Sequence, residues 1–97
     1  MAELKNETLG VRLTVPDKID VRHQLAFYGC LRTDPAEMFE ASWEAAKTMI
    51  LEWECADFPD RNENLGEIVD PKVARIVIWV GGEVSRYISR LEAPSPN

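Results

Sequence analysis

A mainly α fold, a three-helix domain carrying a short N-terminal β-strand or ribbon, is the architecture the sequence predicts, and three observations carry it. Asp34-Pro35 and Asp70-Pro71 each set a capping carboxylate before a proline suited to a first helical turn. Val73, Val77, Val80, Val84, Tyr87, Ile88 and Leu91 recur at helical spacing along one stripe. Val11, Leu13 and Val15 alternate with Arg12 and Thr14, which is the period of a half-buried strand, and Pro16 ends the run.

Taken in chain order, residues 1–9 are polar and expected to be loose, residues 10–92 form the single globular domain, and residues 93–97, "APSPN", form a flexible proline-bearing tail. The strand at Val11 to Val15 cannot stand alone. Residues 2–7, a partner chain or a later extended segment must pair with it, which makes Val11, Leu13 and Val15 candidates for edge pairing. Asp20 then caps a first helix, "VRHQLAFYGCLR", with Val21, Leu25, Tyr28 and Leu31 or Arg32 on neighbouring turns.

A second helix starts at Pro35, capped by Thr33 or Asp34, with Glu37 and Glu40 near its positive end. At about 100° per residue, Phe39, Ser42, Trp43, Ala46, Met49, Ile50 and Trp53 share a core-facing side, opposite Glu37, Glu40, Glu44 and Lys47. Glu52, Glu54 and Asp57 then read as an acidic end to this helix.

The segment "RIVIWVGGEVSRYI" admits two readings. A β-hairpin turning at Gly81-Gly82 would make the fold α+β, and the β-branched run "IVIWV" favours it locally. That hairpin leaves both faces of its first arm apolar, whereas a helix keeps one continuous stripe through the glycines, so helix is preferred. Each glycine costs a helix about 1 kcal/mol against alanine. Gly81, beside the stripe, offsets that cost if a second helix approaches closely there.

Composition removes several classes of function. With 97 residues there is room for one modest core but not for a large enclosed active site. A formal net charge of -6 opposes binding to a phosphate backbone, which requires clustered cations. No apolar run approaches the roughly 20 residues needed to cross a bilayer, and "MAELKNETLG" lacks the pattern of an export signal. A soluble protein binding neither nucleic acid nor membrane is the expectation. Cys30 and Cys55, far apart and without CxxC spacing, fit reduced thiols.

Chemistry is sparse. Asp60, Asn62 and Asn64 follow the first alternating ligand positions of a calcium loop, but Leu65 stands where its glycine belongs and Pro71 where its final glutamate belongs. A polar turn is the better reading. His23, the single histidine, has no nucleophile or carboxylate at triad spacing, and no glycine-rich phosphate loop exists. No catalytic, metal-binding or cofactor-binding residue is assigned, and the chain reads as non-enzymatic.

Binding is the alternative the residues offer. On a helix, Trp79 lies opposite the apolar stripe beside Arg75, Glu83, Arg86 and Arg90, with Ile78 also off the stripe. Trp and Arg are enriched among interface hot spots, so Trp79, Arg75, Arg86, Arg90 and Ile78 form the candidate contact surface. A competing reading makes Glu40, Glu44, Glu52, Glu54 and Asp57 phosphate surrogates of an acidic inhibitor that occupies a basic groove on a host enzyme.

The order "LTVPDKIDVRHQLAFYG", "FEASWEAAKTMILEWEC", "DPKVARIVIWVGGEVSRYISRLEAPSPN" resembles small proteins encoded among the tail and morphogenesis genes of tailed bacteriophages. Its closing pattern, Asp70-Pro71, Ile78-Trp79, Gly81, Val84, Tyr87-Ile88, Leu91, Pro94 and Pro96-Asn97, is similar to the end of the shorter product of tail assembly chaperones. The resemblance implies a small, predominantly helical protein without catalytic residues. It would bind phage structural or tail proteins, or copies of itself, in the host cytoplasm during assembly or as a component retained in the virion.

Overall fold

The computed structural model describes residues 1–29 and 34–92, apart from the side chains of Tyr28 and Glu92. It is an α+β fold in which a three-stranded antiparallel sheet joins three helices, and this overturns the mainly α expectation. The strands are β1 (Ala2–Asn6), β2 (Val11–Val15) and β3 (Glu52–Cys55), in the order β1-β2-β3. The helices are α1 (Val21–Tyr28), α2 (Pro35–Lys47) and α3 (Pro71–Glu92). The hairpin alternative at Gly81-Gly82 also fails, because α3 runs unbroken through both glycines.

The additional strands come from segments the sequence left open or read otherwise. Residues 2–6, expected to be loose yet offered within residues 2–7 as a pairing partner for Val11 to Val15, form β1. Ala2, Leu4 and Asn6 lie opposite Val15, Leu13 and Val11, while Glu3 and Lys5 lie opposite Thr14 and Arg12. The connecting turn places Gly10 at φ 68°, the left-handed region where a side chain is strained. Asn6 tightens it by accepting from the Leu9 amide through Oδ1 at 3.0 Å.

The second helix stops earlier than its apolar spacing suggests. At Thr48 the hydroxyl donates to the Ala45 carbonyl at 2.7 Å, and the Met49 amide donates to Ala46 in a tightened last turn. Leu51 then donates its amide to the Thr14 carbonyl at 2.9 Å, and the chain enters β3. Trp53 and Cys55 therefore lie opposite Leu13 and Val11 on one face of the sheet, while Glu52 and Glu54 lie opposite Thr14 and Arg12 on the other. The acidic end assigned to the second helix is thus part of a strand and its following loop.

β2 is the central strand, with a neighbour on each side. Val11, Leu13 and Val15 are all buried, so their assignment to an edge-pairing strand is corrected: both partners come from this chain. On the outward face Arg12 pairs with Glu3 and Glu54, and these carboxylates raise its pKa, the hydrogen bond that Arg12 donates to Glu54 contributing most.

One core connects the sheet to the helices. Leu4, Val11, Leu13 and Val15 join Trp43, Ala46, Met49 and Ile50, and also Val73, Ile76, Val77, Val80, Val84, Tyr87 and Ile88. The predicted stripe on α3 is the buried one except at its last member, since Leu91 is exposed. Tyr87 ties α3 to the end of β2 by donating its hydroxyl to the Pro16 carbonyl at 2.8 Å, and burial raises its pKa. α1 is reversed relative to its predicted face: Val21 and Leu25 are exposed, and Phe27 with the preceding Ile19 packs on the core. Leu31 and Arg32 of the predicted first helix, Cys30 and the tail 93–97 lie outside the described residues.

The helix starts are as the sequence signals them. Asp34 accepts from the Ala36 amide at 2.9 Å, and Asp70 accepts from the Lys72 amide at 3.0 Å. Asp20 caps α1 through the His23 amide, and that hydrogen bond is the main reason its carboxyl pKa is lowered.

The two glycines of α3 have different roles. A Cβ on Gly81 would stand 3.0 Å from the Ser42 Cβ and 3.5 Å from α2 backbone atoms, so α3 and α2 cross at closest approach there. Among the described residues, a Cβ on Gly82 would meet only the Arg86 guanidinium, at 3.9 Å. Gly82→Ala is therefore expected to stabilise the fold by about 0.5–1 kcal/mol through helix propensity. Gly81→Ala is expected to destabilise it by about 1–2 kcal/mol, because overpacking outweighs the same propensity gain. Urea denaturation of the two variants, read as midpoint shifts of opposite sign, checks the assignment.

Candidate functional site

Beside the Gly81 contact, α2 and α3 line an open groove of about 600 Å³, with Met38, Phe39 and Ser42 from α2 and Arg75, Ile78, Trp79, Ser85 and Arg86 from α3. Its floor is the Gly81 crossing, with Gly82 alongside. A second depression of about 340 Å³ continues toward Leu65 and Ile68 in the loop before α3. Phe39 and Ile78 line both hollows, and each is 44% exposed. Together the hollows form one apolar band across the helix pair.

Four of the five predicted contact residues meet here: Arg75, Ile78, Trp79 and Arg86. Arg90 is exposed but lies outside the groove lining. Trp79 differs from its predicted position opposite the stripe. It is half-buried at the stripe's border, part of its indole against the core and part in the groove. Arg86 is held by Glu83 one turn earlier, while Arg75 projects exposed at the other end of the lining.

Phe39 and Met38 were missed as groove residues, since helical spacing placed Phe39 on the core face with Trp43. The signal that reveals them is Gly81. Once that glycine is read as the point of contact with Ser42, Phe39, one turn before Trp43, must flank the crossing rather than sit beneath it.

The acidic residues do not converge. Glu52 and Glu54 occupy the outward face of the sheet, and Glu54 is paired with Arg12. Asp57 bonds Lys72 at 2.7 Å, and that hydrogen bond is the leading cause of the raised Lys72 pKa. Glu44 pairs with Lys47 on α2. In the polar loop, Asp60 and Asn64 turn their side-chain oxygens onto the Asn62 and Gly66 amides. His23 Nδ1 lies 2.8 Å from Asp20, at the α1 cap.

Among the described residues no group of three or more His, Cys, Asp or Glu side chains is placed to hold a metal ion, and no helix is long and apolar enough to cross a membrane. A further hollow of about 590 Å³ at the end of the sheet, between Lys5, Glu7, Arg12 and Glu54, is rimmed by charges that pair with one another. Trp53, half-buried like Trp79, lines it too, but its indole N–H is already engaged by the Phe58 carbonyl.

Two tryptophans separate the roles of scaffold and surface. Trp43 is fully buried, whereas Trp79 shares its area between core and groove. Trp43→Ala is expected to cost about 3–5 kcal/mol and Trp79→Ala about 1–2 kcal/mol, so the second variant stays folded at room temperature. Chemical denaturation followed by circular dichroism measures both. No protein-family model, no curated protein and no solved structure matches this chain.

Proposed function

We propose that this chain is a non-enzymatic bacteriophage morphogenesis protein, a tail-assembly-chaperone-like factor or small virion component, that holds a segment of another phage structural protein in the α2–α3 groove. The observation supporting a binding role is the groove itself: Phe39, Ile78 and Trp79 present an apolar band to solvent, with Arg75 and Arg86 at its rim. Burying such anchors supplies most of an interface's energy, and arginines at the border select partners by charge. An amphipathic helix with acidic residues flanking its apolar face is the segment that fits, since its anchors at i, i+3 and i+4 match a trough between two helices. The phage assignment rests on the resemblance in element order and in the closing sequence pattern.

The groove beside Gly81 is lined by apolar side chains, two serines and two arginines, and the adjoining depression adds Glu40 and Asp70 to its lining, a composition suited to holding a partner segment. The acidic-inhibitor reading has less support, because its carboxylates are divided between the outer face of the sheet, the loop and α2, and several are bonded to cations of this chain.

A photo-crosslinking residue at position 78, introduced during phage production, tests the proposal. The expected adduct is a tail or virion structural protein, and it should be lost when Arg75→Glu and Trp79→Ala are added. An adduct with a basic host enzyme, or one indifferent to both substitutions, would contradict the reading.

A further inference from the structure

We propose that two copies of this chain join through their β1 strands, antiparallel and in a register centred on Leu4, so that two three-stranded sheets become one of six strands. β1 lies at the edge of the sheet, with β2 on its inner side and no strand on its outer side among the described residues. Such an edge carries a row of backbone donors and acceptors that a further strand can pair.

The side chains of β1 make that partner a second copy. Directly opposed residues of an antiparallel pair point to the same face of the sheet. Joining two copies with their cores on one side therefore allows only registers that match Ala2, Leu4 and Asn6 with one another, and Glu3 and Lys5 with one another. The register centred on Leu4 pairs the whole strand. It opposes Glu3 of each copy to Lys5 of the other, and sets the two Leu4 side chains together on the core face. Sliding by two residues in one direction opposes Glu3 to Glu3, and sliding in the other opposes Lys5 to Lys5. Charge thus selects a single two-fold register.

Within one copy, Lys5 stands opposite Arg12 in the ladder, a like-charge pair, and its carboxylate contact is Glu7 at 3.5 Å. A Glu3 from the second copy would flank Lys5 on its open side and offset that repulsion. The opposite edge of the sheet cannot serve in the same way. β3 carries Glu52 and Glu54 on its outward face, so every register that keeps the cores on one side sets carboxylate against carboxylate. One edge is self-complementary and the other self-repelling, which closes the assembly at two copies.

Sedimentation equilibrium over a range of concentration tests this surface independently of the helix groove. The wild type is expected to reach a dimer and to go no further. Glu3→Lys alone and Lys5→Glu alone should each weaken association about tenfold or more, since two opposite-charge pairs become two like-charge pairs. An equal mixture of the two variants should recover wild-type affinity as a heterodimer, as should the chain carrying both substitutions. Should a single variant fail to fold, carbodiimide treatment of wild-type protein mixed from light and heavy isotopes reads the same contact, as a Glu3-to-Lys5 amide bridging one light and one heavy peptide. A monomer throughout, a dimer unaffected by the substitutions, or an open series of larger species would overturn the proposal.

Discussion

The indole of Trp43 is where the helical and sheet layers meet. It projects from α2, fully buried, and its ring lies 5.7 Å from that of Trp53 on β3 and 5.8 Å from Phe58 in the following loop. Trp53 and Phe58 meet edge to face at 6.0 Å, and the Trp53 indole N–H donates to the Phe58 carbonyl at 2.7 Å. These rings hold the short strand β3 against the helices, and Lys47 covers the outer side of Trp43 at 5.7 Å. The cluster carries one internal cost. The Trp43 indole N–H is buried with no hydrogen-bond partner among the described residues, a penalty of about 1–3 kcal/mol that the buried ring area offsets.

Because Trp43 fixes α2 on the sheet, the position of α3 follows. Gly81 brings α3 against Ser42 and the Trp43 backbone, and the valines and Ile76 on its stripe fill the space above β2. With that contact set, nothing among the described residues covers the side chains that flank it, and Phe39, Ile78 and Trp79 are left lining an open hollow. The groove is thus a product of the same contact that completes the core. The β1 edge belongs to the sheet, and the two surfaces can act separately.

Legibility from the sequence followed the strength of local signals. Asp34-Pro35 and Asp70-Pro71 mark helix starts by chemistry that operates within a few residues, and both hold. The long stripe on α3 and the packing purpose of Gly81 were also readable, whereas the groove was not: Met38 was not assigned to it, Phe39 was placed on the core face, and Trp79 was placed opposite the stripe. The fold class was not, because two of the three strands are defined by their partners. In β1 the only large inward side chain is Leu4, too little for a visible alternation. In β3 Trp53 and Cys55 alternate with two glutamates, residues poorly suited to strands, and Trp53 also continues the helical spacing of α2. Arg12, held between Glu3 and Glu54 across three strands, supplies a specificity that no single segment displays. The same blindness placed Val11, Leu13 and Val15 at an edge and read Glu52, Glu54 and Asp57 as a helix terminus.

Hydrogen exchange at the three indole N–H groups, followed by NMR, separates core from surface most directly. The Trp43 and Trp53 indole protons should exchange slowly, that of Trp53 shifted downfield by its carbonyl partner and that of Trp43 upfield of it, since Trp43 has no partner among the described residues. The Trp79 indole proton should exchange orders of magnitude faster, as a half-exposed ring in an open groove must. A Trp79 proton as protected as the other two in the isolated chain would show the groove closed, and would contradict a surface built to receive a partner.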